Sequence, residues 1–175
     1  MTVITISGTP GSGKSTVAKI LEKRTKLKYV NSGIIFREMA KNYNMSLERF
    51  GVFCEKNEEI DKEVDNKQLN ILKEGRVILE GRLAGWIAHH NKIPALKVMI
   101  DADVETRTKR ILKREKRNIK DIKKEIIERE KSEAIRYKKY YDIDLKDVSI
   151  YDLFIDSTDK NPEKIVELII KKIGK

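Results

Sequence analysis

A short apolar strand that runs into a glycine-rich turn and then a helix constrains this chain more than any other feature. Val3-Ile4-Thr5-Ile6-Ser7 is β-branched and apolar, as a buried parallel strand is. Gly8-Thr9-Pro10-Gly11-Ser12-Gly13-Lys14-Ser15-Thr16 follows and fits the pattern G-x-x-x-x-G-K-[ST]. Val17, Ala18, Leu21 and Thr25 then recur at helical spacing. Strand, loop and helix in this order are the context that gives the pattern meaning. Backbone N–H groups freed by the glycines point into one concavity, and the helix start adds donors and partial positive charge. Such a loop cradles phosphates. Lys14 is expected to reach the β- and γ-phosphates of a nucleoside triphosphate, and the Ser15 hydroxyl to ligate Mg²⁺.

The rest of the chain alternates strands and helices. Lys28–Asn31 reads as a second strand, broken by Ser32-Gly33, with Ser32 able to cap a helix over 34–40. Ser46 starts a mostly helical stretch over 47–73, whose apolar stripe is Phe50, Phe53, Ile60, Val64, Leu69 and Leu72 and which Gly75 ends. Val77-Ile78-Leu79-Glu80 is a third strand. Its closing carboxylate resembles a Walker-B acid near a metal or its waters, though an ordinary acidic strand end has the same look. Residues 83–93 form a connection with a short helical piece. His89 and His90 are neighbours that share no helix face, so a metal pair is not expected. Leu96–Asp101 and Tyr151–Asp156 are the fourth and fifth strands. Asn161 and Pro162 open a last helix with Ile165, Val166, Ile169 and Ile173 inward.

This alternation predicts an α/β fold: a five-stranded parallel sheet with helices on both faces, in three layers around the phosphate loop. Right-handed crossovers put every strand C-terminus on one edge, where open α/β sheets bind ligands. The phosphate loop, Asn31-Ser32-Gly33, Glu80-Gly81-Arg82, Asp101 and Asp156-Ser157 all fall there.

With 175 residues, one domain is the expectation. A single cysteine, Cys54, excludes an internal disulfide and suits a reducing cytoplasm. Met1-Thr2 runs straight into the first strand, so no signal peptide is expected, and no apolar run is long enough to span a membrane. The net charge of +10 is concentrated: residues 104–141 carry fifteen Lys/Arg against seven Asp/Glu. Two helices share this charge. One, after Asp101 or Asp103, carries Arg107, Arg110 and Arg114 on one row, with Val104, Ile111 and Leu112 turned to a core. The other runs from Asp121 to about Tyr141, with Arg129, Glu133 and Arg136 on one face beside an apolar stripe of Ile126, Ala134, Tyr137 and Tyr141. Charged rows are usually solvated helix faces. Behind a phosphate loop, arginine forks that neutralise transferring phosphates are the stronger reading, and at least two of these five arginines are expected in the site.

Several ordered motifs make the chain resemble the nucleoside monophosphate kinases, and most closely the archaeal type of cytidylate kinase. Asn31-Ser32-Gly33-Ile34-Ile35-Phe36-Arg37 is similar to the D-S-G-x-x-[YF]-R segment of cytidylate kinases. Glu80-Gly81-Arg82-Leu83-Ala84-Gly85 is similar to their D-G-R-D-x-G, and Glu128–Arg136 resembles their E-R-[DE]-x(3–4)-[DE]-x-x-R. The resemblance implies that Ser32, Arg37, Gly81 and Arg82 hold the monophosphate acceptor. It implies that Arg129 reaches both phosphates and nucleoside, that Glu133 recognises the acceptor, and that Arg136 binds the transferring phosphates. Arg110 would lie against the ATP base or phosphates, and Asp156-Ser157 near adenine. The sequence departs from the family pattern at Leu83, where the bacterial enzymes use an acid to read cytosine, and at Asn31, so base recognition must be partly rebuilt.

The expected reaction is ATP + CMP (or dCMP) ⇌ ADP + CDP (or dCDP), with Mg²⁺ bound through Ser15 and Glu80. Lys14, Arg110, Arg129 and Arg136 would be the catalytic groups. The implied organisation is one kinase domain with its core over 1–33, 74–112 and 142–175. A helical acceptor-binding segment would span about 34–73, and a lid about 113–128, continuing into the helix to 141. The partners are small nucleotides, and a monomer in the cytoplasm is expected. Two other readings stay open on the residues alone. One is another small-molecule kinase, of the adenylate kinase type. The other is a P-loop ATPase that binds RNA with its basic region, although no stacking aromatics interleave that run.

Overall fold

The computed structural model describes residues 2–115 and 118–174. Five strands form one sheet: β1 (Val3–Gly8), β2 (Lys28–Asn31), β3 (Val77–Glu80), β4 (Leu96–Asp101) and β5 (Leu153–Asp156). All neighbours are parallel and the order is β2-β3-β1-β4-β5. The registers pair Ile6 with Glu80, Asn31 with Glu80, Gly8 with Ile100 and Asp101 with Asp156. The polar ends of all five strands therefore share one edge, as the sequence predicts. β1 is buried along its whole length, so Ile4 and Ile6 pack on one face of the sheet and Val3 on the other.

Two helices cover the first face: α1 (Lys14–Thr25), through Val17, Ala18 and Leu21, and α8 (Pro162–Ile173), through Ile165, Val166 and Ile169. The Asn161 side chain accepts from Lys164 N and caps α8, with Pro162 in the first turn. On the second face lie Leu72 of α4 (Glu58–Glu74) and Ala84, Trp86 and Ile87 of α5 (Ala84–His90), together with Ile143. Two further clusters sit off the sheet. Met39 and Ala40 of α2 (Ser32–Asn42), Phe50 and Cys54 of α3 (Leu47–Cys54) and Val64 of α4 form one. Ile111 of α6 (Val104–Arg114) and Ile122 and Ile126 of α7 (Ile119–Tyr141) form the other. Burying Phe50 completely stabilises its cluster by about 2–3 kcal/mol. No described helix is long and apolar enough to cross a membrane.

Several boundaries differ from the sequence reading, each for a local reason. The helix expected over 47–73 is two helices. Asn57 donates its amide to the Phe53 carbonyl, 2.7 Å away, which satisfies the end of α3 and lets α4 start anew. The helix α2 begins at Ser32, and Asn31 is its N-cap residue. No side chain caps this end; the Asn31 amide nitrogen donates instead to Glu80 and Tyr29. The helix α7 begins two residues before Asp121, where the Asn118 side chain accepts from Lys120 N. Ala134 is exposed rather than part of the inward stripe, and Ile122 takes that place. Met1, and Lys116 and Arg117 of the charged connection, lie outside the described residues.

Candidate active site

The phosphate loop crosses the C-terminal edge of the sheet between β1 and α1. Gly8 has φ +151°, and a Cβ there would lie 1.9 Å from the Ile100 carbonyl oxygen, so no other residue fits. Gly13, at φ 93°, is the N-cap of α1. No side chain caps that end and no acid occupies its first turn, so the helix offers its N–H groups and positive pole to an anion. Neighbours hold the loop rigid. Thr9 donates its hydroxyl to Asp101, and Ser157 Oγ donates to the Ser12 carbonyl at 2.8 Å. Arg110 Nη1 bridges Ser157 Oγ (3.0 Å) and the Ser12 carbonyl (3.3 Å). Lys14 Nζ donates to the Thr9 carbonyl at 2.7 Å. Desolvation, helped by Arg82 and Arg129 and opposed by Glu80, lowers Lys14 to about 8. An added polyanion would raise it again.

At the end of β3, Glu80 is buried and bonded on both oxygens. Ser15 Oγ donates to Oε1 at 2.9 Å, while Tyr29 OH and Asn31 Nδ2 (2.8 Å) donate to Oε2. Burial first, then Glu80, raises the Tyr29 phenol to about 12, so it remains a donor. A serine hydroxyl beside a carboxylate is a hard-oxygen donor pair of the kind Mg²⁺ takes. Among the described residues there is no group of three His, Cys, Asp or Glu that could hold a metal by itself. The pair suits an ion whose other ligands are phosphate oxygens and waters. Gly81 follows, and a Cβ on it would meet Ser32 Oγ at 2.0 Å.

Across the cleft from the loop, α7 presents Glu133 and two of its arginines. Arg82 Nε donates to Glu133 Oε2 at 2.5 Å, and Arg129 Nε to Oε1 at 3.0 Å. Burial alone would raise Glu133, but Arg82, then Arg129 and Arg136, hold it near 2. Arg136 acts on this carboxylate through its charge and takes its hydrogen-bonded partner elsewhere. It is buried against Asp61 of α4 and lies over the Phe36 ring, 5.3 Å from its centre.

The sequence-derived residues thus divide between two hollows that share the loop. Ser32, Arg37, Gly81, Arg82, Arg129, Glu133 and Arg136 line a cleft of about 520 Å³, with Lys14, Ser15 and Glu80 at its floor. Arg110, Ser157 and Thr16 line a groove of about 320 Å³ on the α1–α8 side. Asp156 faces neither hollow, and its carboxylate accepts from Thr158 N. Of the arginine row on α6, Arg110 and Arg114 reach the hollows, whereas Arg107 is structural. It is buried, donating to the Ala102 and Pro10 carbonyls and pairing with Glu130.

Sequence reasoning missed Tyr29 and a polar row on α4. Asp61, Asp65 and Gln68 are spaced i, i+4, i+7, so they share one helix face, and all three line the larger cleft. The signal was that spacing. Hydrophobic periodicity picks out the apolar stripe beside it and gives these polar positions no weight.

Known proteins resemble this chain over nearly its whole length. The family model of the cytidylate kinase-like family matches residues 3–159. The cytidylate kinase of Methanocaldococcus jannaschii is 47% identical over 174 residues, covering 98% of this chain and 97% of that one. That of Pyrococcus horikoshii is 43% identical over 167 residues, covering 95% and 85%. Solved structures share the fold at low identity. An uncharacterized protein from Eubacterium ventriosum superposes with a TM-score of 0.73 at 22% identity, covering 99% of each chain. The shikimate kinase of Acinetobacter baumannii, solved with shikimate, superposes with a TM-score of 0.62 at 16% identity, covering 99% of this chain and 93% of that one. The loop, the arginine-clamped carboxylate and the full-length similarity converge: the chain belongs to the cytidylate kinase-like family.

Proposed function

We propose that this protein is a cytidylate kinase, which transfers the γ-phosphoryl group of ATP to CMP or dCMP and yields ADP and CDP or dCDP. The carrying observation is the buried Glu133 clamped by Arg82 and Arg129 across the cleft from Lys14. That arrangement supplies an acceptor pocket and a field of positive charge around the point of transfer. Relatives named cytidylate kinase over nearly the whole chain support the same reading.

The chemistry needs little from the protein beyond position and charge. An oxygen of the acceptor's phosphate, already anionic near neutral pH, attacks the γ-phosphorus, and the bond from that phosphorus to the β–γ bridging oxygen breaks. No general base is required. Lys14 and the loop N–H groups hold the donor phosphates. Ser32, Arg37 and Arg82 hold the acceptor phosphate, while Glu133 and Arg129 orient its nucleoside. Arg110 ties the donor side to the loop, and Arg129 faces the charge that spreads over the transferring oxygens. Ser15 and Glu80 would hold Mg²⁺, which neutralises charge on the donor phosphates when bound. Arg136 serves the acceptor end, where Asp61 holds it.

The two clusters off the sheet give the motion a physical basis. One cluster lies within the acceptor segment over 34–73. The other joins Ile122 and Ile126 of the lid over 113–128 to Ile111 of α6. The continuation to 141 stays packed on the sheet through Tyr137 and Tyr141, so closure would move the outer parts over the cleft. Closure excludes water, which would otherwise compete as acceptor. The reading is of a cytoplasmic monomer acting on free nucleotides.

The test is ADP formation from ATP and Mg²⁺ with CMP, dCMP, UMP, AMP, GMP or shikimate added singly. Turnover with CMP and dCMP is expected. Turnover with AMP alone would assign the chain to adenylate phosphorylation, and turnover with shikimate alone would remove it from nucleotide chemistry.

A further inference from the structure

Three buried polar atoms at the acceptor end of the larger cleft have no hydrogen-bond partner: Asp61 Oδ2, Gln68 Oε1 and Arg136 Nε. Asp61 is 3%, Gln68 4% and Arg136 4% exposed. Leaving such groups unpaired is costly, most of all for the charged ones, so three in one hollow point to a ligand that completes them. The other half of each group is already committed. Arg136 Nη1 donates to Asp61 Oδ1, and Gln68 Nε2 donates to Asp65 Oδ1 at 2.9 Å. Tyr141 OH donates to the other oxygen of Asp65. With both its oxygens accepting, Asp65 takes the NH₂ side of Gln68 and leaves the Gln68 carbonyl oxygen on the other side, beside Gly81 of the same cleft.

The set on offer is therefore two acceptors and one donor. We infer that Asp61, Gln68 and Arg136 read the amino edge of the acceptor base, the two carbonyl-type oxygens accepting the two hydrogens of an exocyclic amine and Arg136 Nε–H donating to the ring nitrogen beside it. This rests on the kinase reading of the cleft and specifies its base. Cytosine presents that pattern through its 4-amino group and N3. Uracil inverts it at both positions: O4 would face two acceptors, and N3–H would face a donor. Guanine inverts it in the same way through O6 and N1–H. Adenine repeats the cytosine pattern through its 6-amino group and N1, so the triplet separates amino from oxo bases and leaves the choice between pyrimidine and purine to shape. The same residues account for the apolar Leu83 at the end of β3, since the base is read from α4 and α7 instead.

Calorimetric binding of CMP, UMP and the monophosphate of pyrimidin-2-one, which lacks the 4-amino group, tests this without turnover. Wild-type protein is expected to bind CMP at least about tenfold more tightly than either analogue. Gln68→Met keeps the side-chain length and removes the acceptor. It should bring CMP down to within about threefold of pyrimidin-2-one monophosphate while leaving the affinity for that analogue unchanged. Asp61→Asn removes the counter-charge of Arg136 and can unfold the protein, so Gln68→Met is the deciding variant. Equal wild-type affinity for CMP and pyrimidin-2-one monophosphate would overturn the inference. So would a Gln68→Met protein that loses both in parallel. Tight, amine-dependent CMP binding without ADP formation would instead sink the kinase reading and leave the base reading standing.

Discussion

Arg82 Nε lies 2.5 Å from Glu133 Oε2 and joins the end of β3 to the middle of α7 through a side-chain pair that is 12% and 5% exposed. One carboxylate here balances Arg82 and Arg129 beside Lys14. Glu133→Gln keeps the shape and removes the charge, which leaves a buried guanidinium without its counter-ion. We expect a loss of about 3–5 kcal/mol in denaturant unfolding at pH 7. The pH dependence has a definite sign. Glu133 is held near 2 against an ordinary value of 4.5, so its stabilisation is complete above about 4.5 and fades as pH falls toward 2. The gap between wild type and Glu133→Gln should therefore close in acid. A gap that is constant from pH 7 to pH 3 would show that the charge is not what matters.

Gly81 and Ser32 make a second tight relation. A Cβ at position 81 would meet Ser32 Oγ at 2.0 Å and Ser32 Cβ at 2.9 Å. Gly81→Ala must push Ser32 out of the acceptor cleft. The expected result is a rise in KM for CMP of at least about tenfold, with KM for ATP little changed. Adding Ser32→Gly removes both clashing atoms and should restore the stability lost to Gly81→Ala, though not the affinity for CMP. If Gly81→Ala alone raised both KM values together, the damage would be to the loop rather than to Ser32.

The sheet, its helices and much of the lining of the candidate cleft were legible in the sequence because each is announced locally. β-branched runs mark buried strands, and the loop pattern carries its own backbone geometry. Ser32, Arg82, Arg129 and Glu133 stand in ordered motifs, and the structure gathers them in one cleft. What stayed hidden depends on contacts far apart in the chain. Arg107 has the same spacing as Arg110 and Arg114, yet a pairing with Glu130 and two backbone carbonyls removes it from the cleft. Arg136, expected at the transferring phosphates, pairs with Asp61, 75 residues away, a contact its own motif does not announce. The acids of α4 were passed over, because burial of a polar residue leaves no mark in hydrophobic periodicity. The break at Asn57 also escaped notice, since a side chain bonding back to Phe53 does not interrupt the apolar stripe.

Lys14 offers a prediction for the protein alone. Desolvation, aided by Arg82 and Arg129, lowers it to about 8, so near pH 8 a sizeable fraction is the neutral, nucleophilic amine. Amine acylation at pH 8 followed by peptide mapping should mark Lys14 ahead of the exposed lysines. ATP should protect it, both by covering it and by favouring the charged form. Labelling of Lys14 no faster than that of Lys19 or Lys23 would contradict the lowered value.

Asp65 links pH to base choice. Burial is the main cause that pushes its carboxyl up to about 7. Asp61 adds to this, while Tyr141 and Arg136 oppose it. Lys62 on α4, His90 on α5 and Tyr137 on α7 line the hollows on either side of it. Above pH 7 the ionised Asp65 accepts from Gln68 and holds that amide with its oxygen toward the base. Below pH 7 the protonated carboxyl can donate to the Gln68 oxygen, which frees the amide to turn and present NH₂ instead. An NH₂ there suits the O4 of uracil and repels the amine of cytosine. The ratio of kcat/KM for CMP to that for UMP is therefore expected to be several-fold higher at pH 8 than at pH 6. The acceptor phosphates titrate alike in the two substrates, so their ionisation cancels from the ratio. Asp65→Asn cannot ionise and should flatten the profile, whereas a purely structural Asp65 would leave its shape unchanged in that variant. A wild-type ratio that is constant across this range would show that the Gln68 amide does not turn.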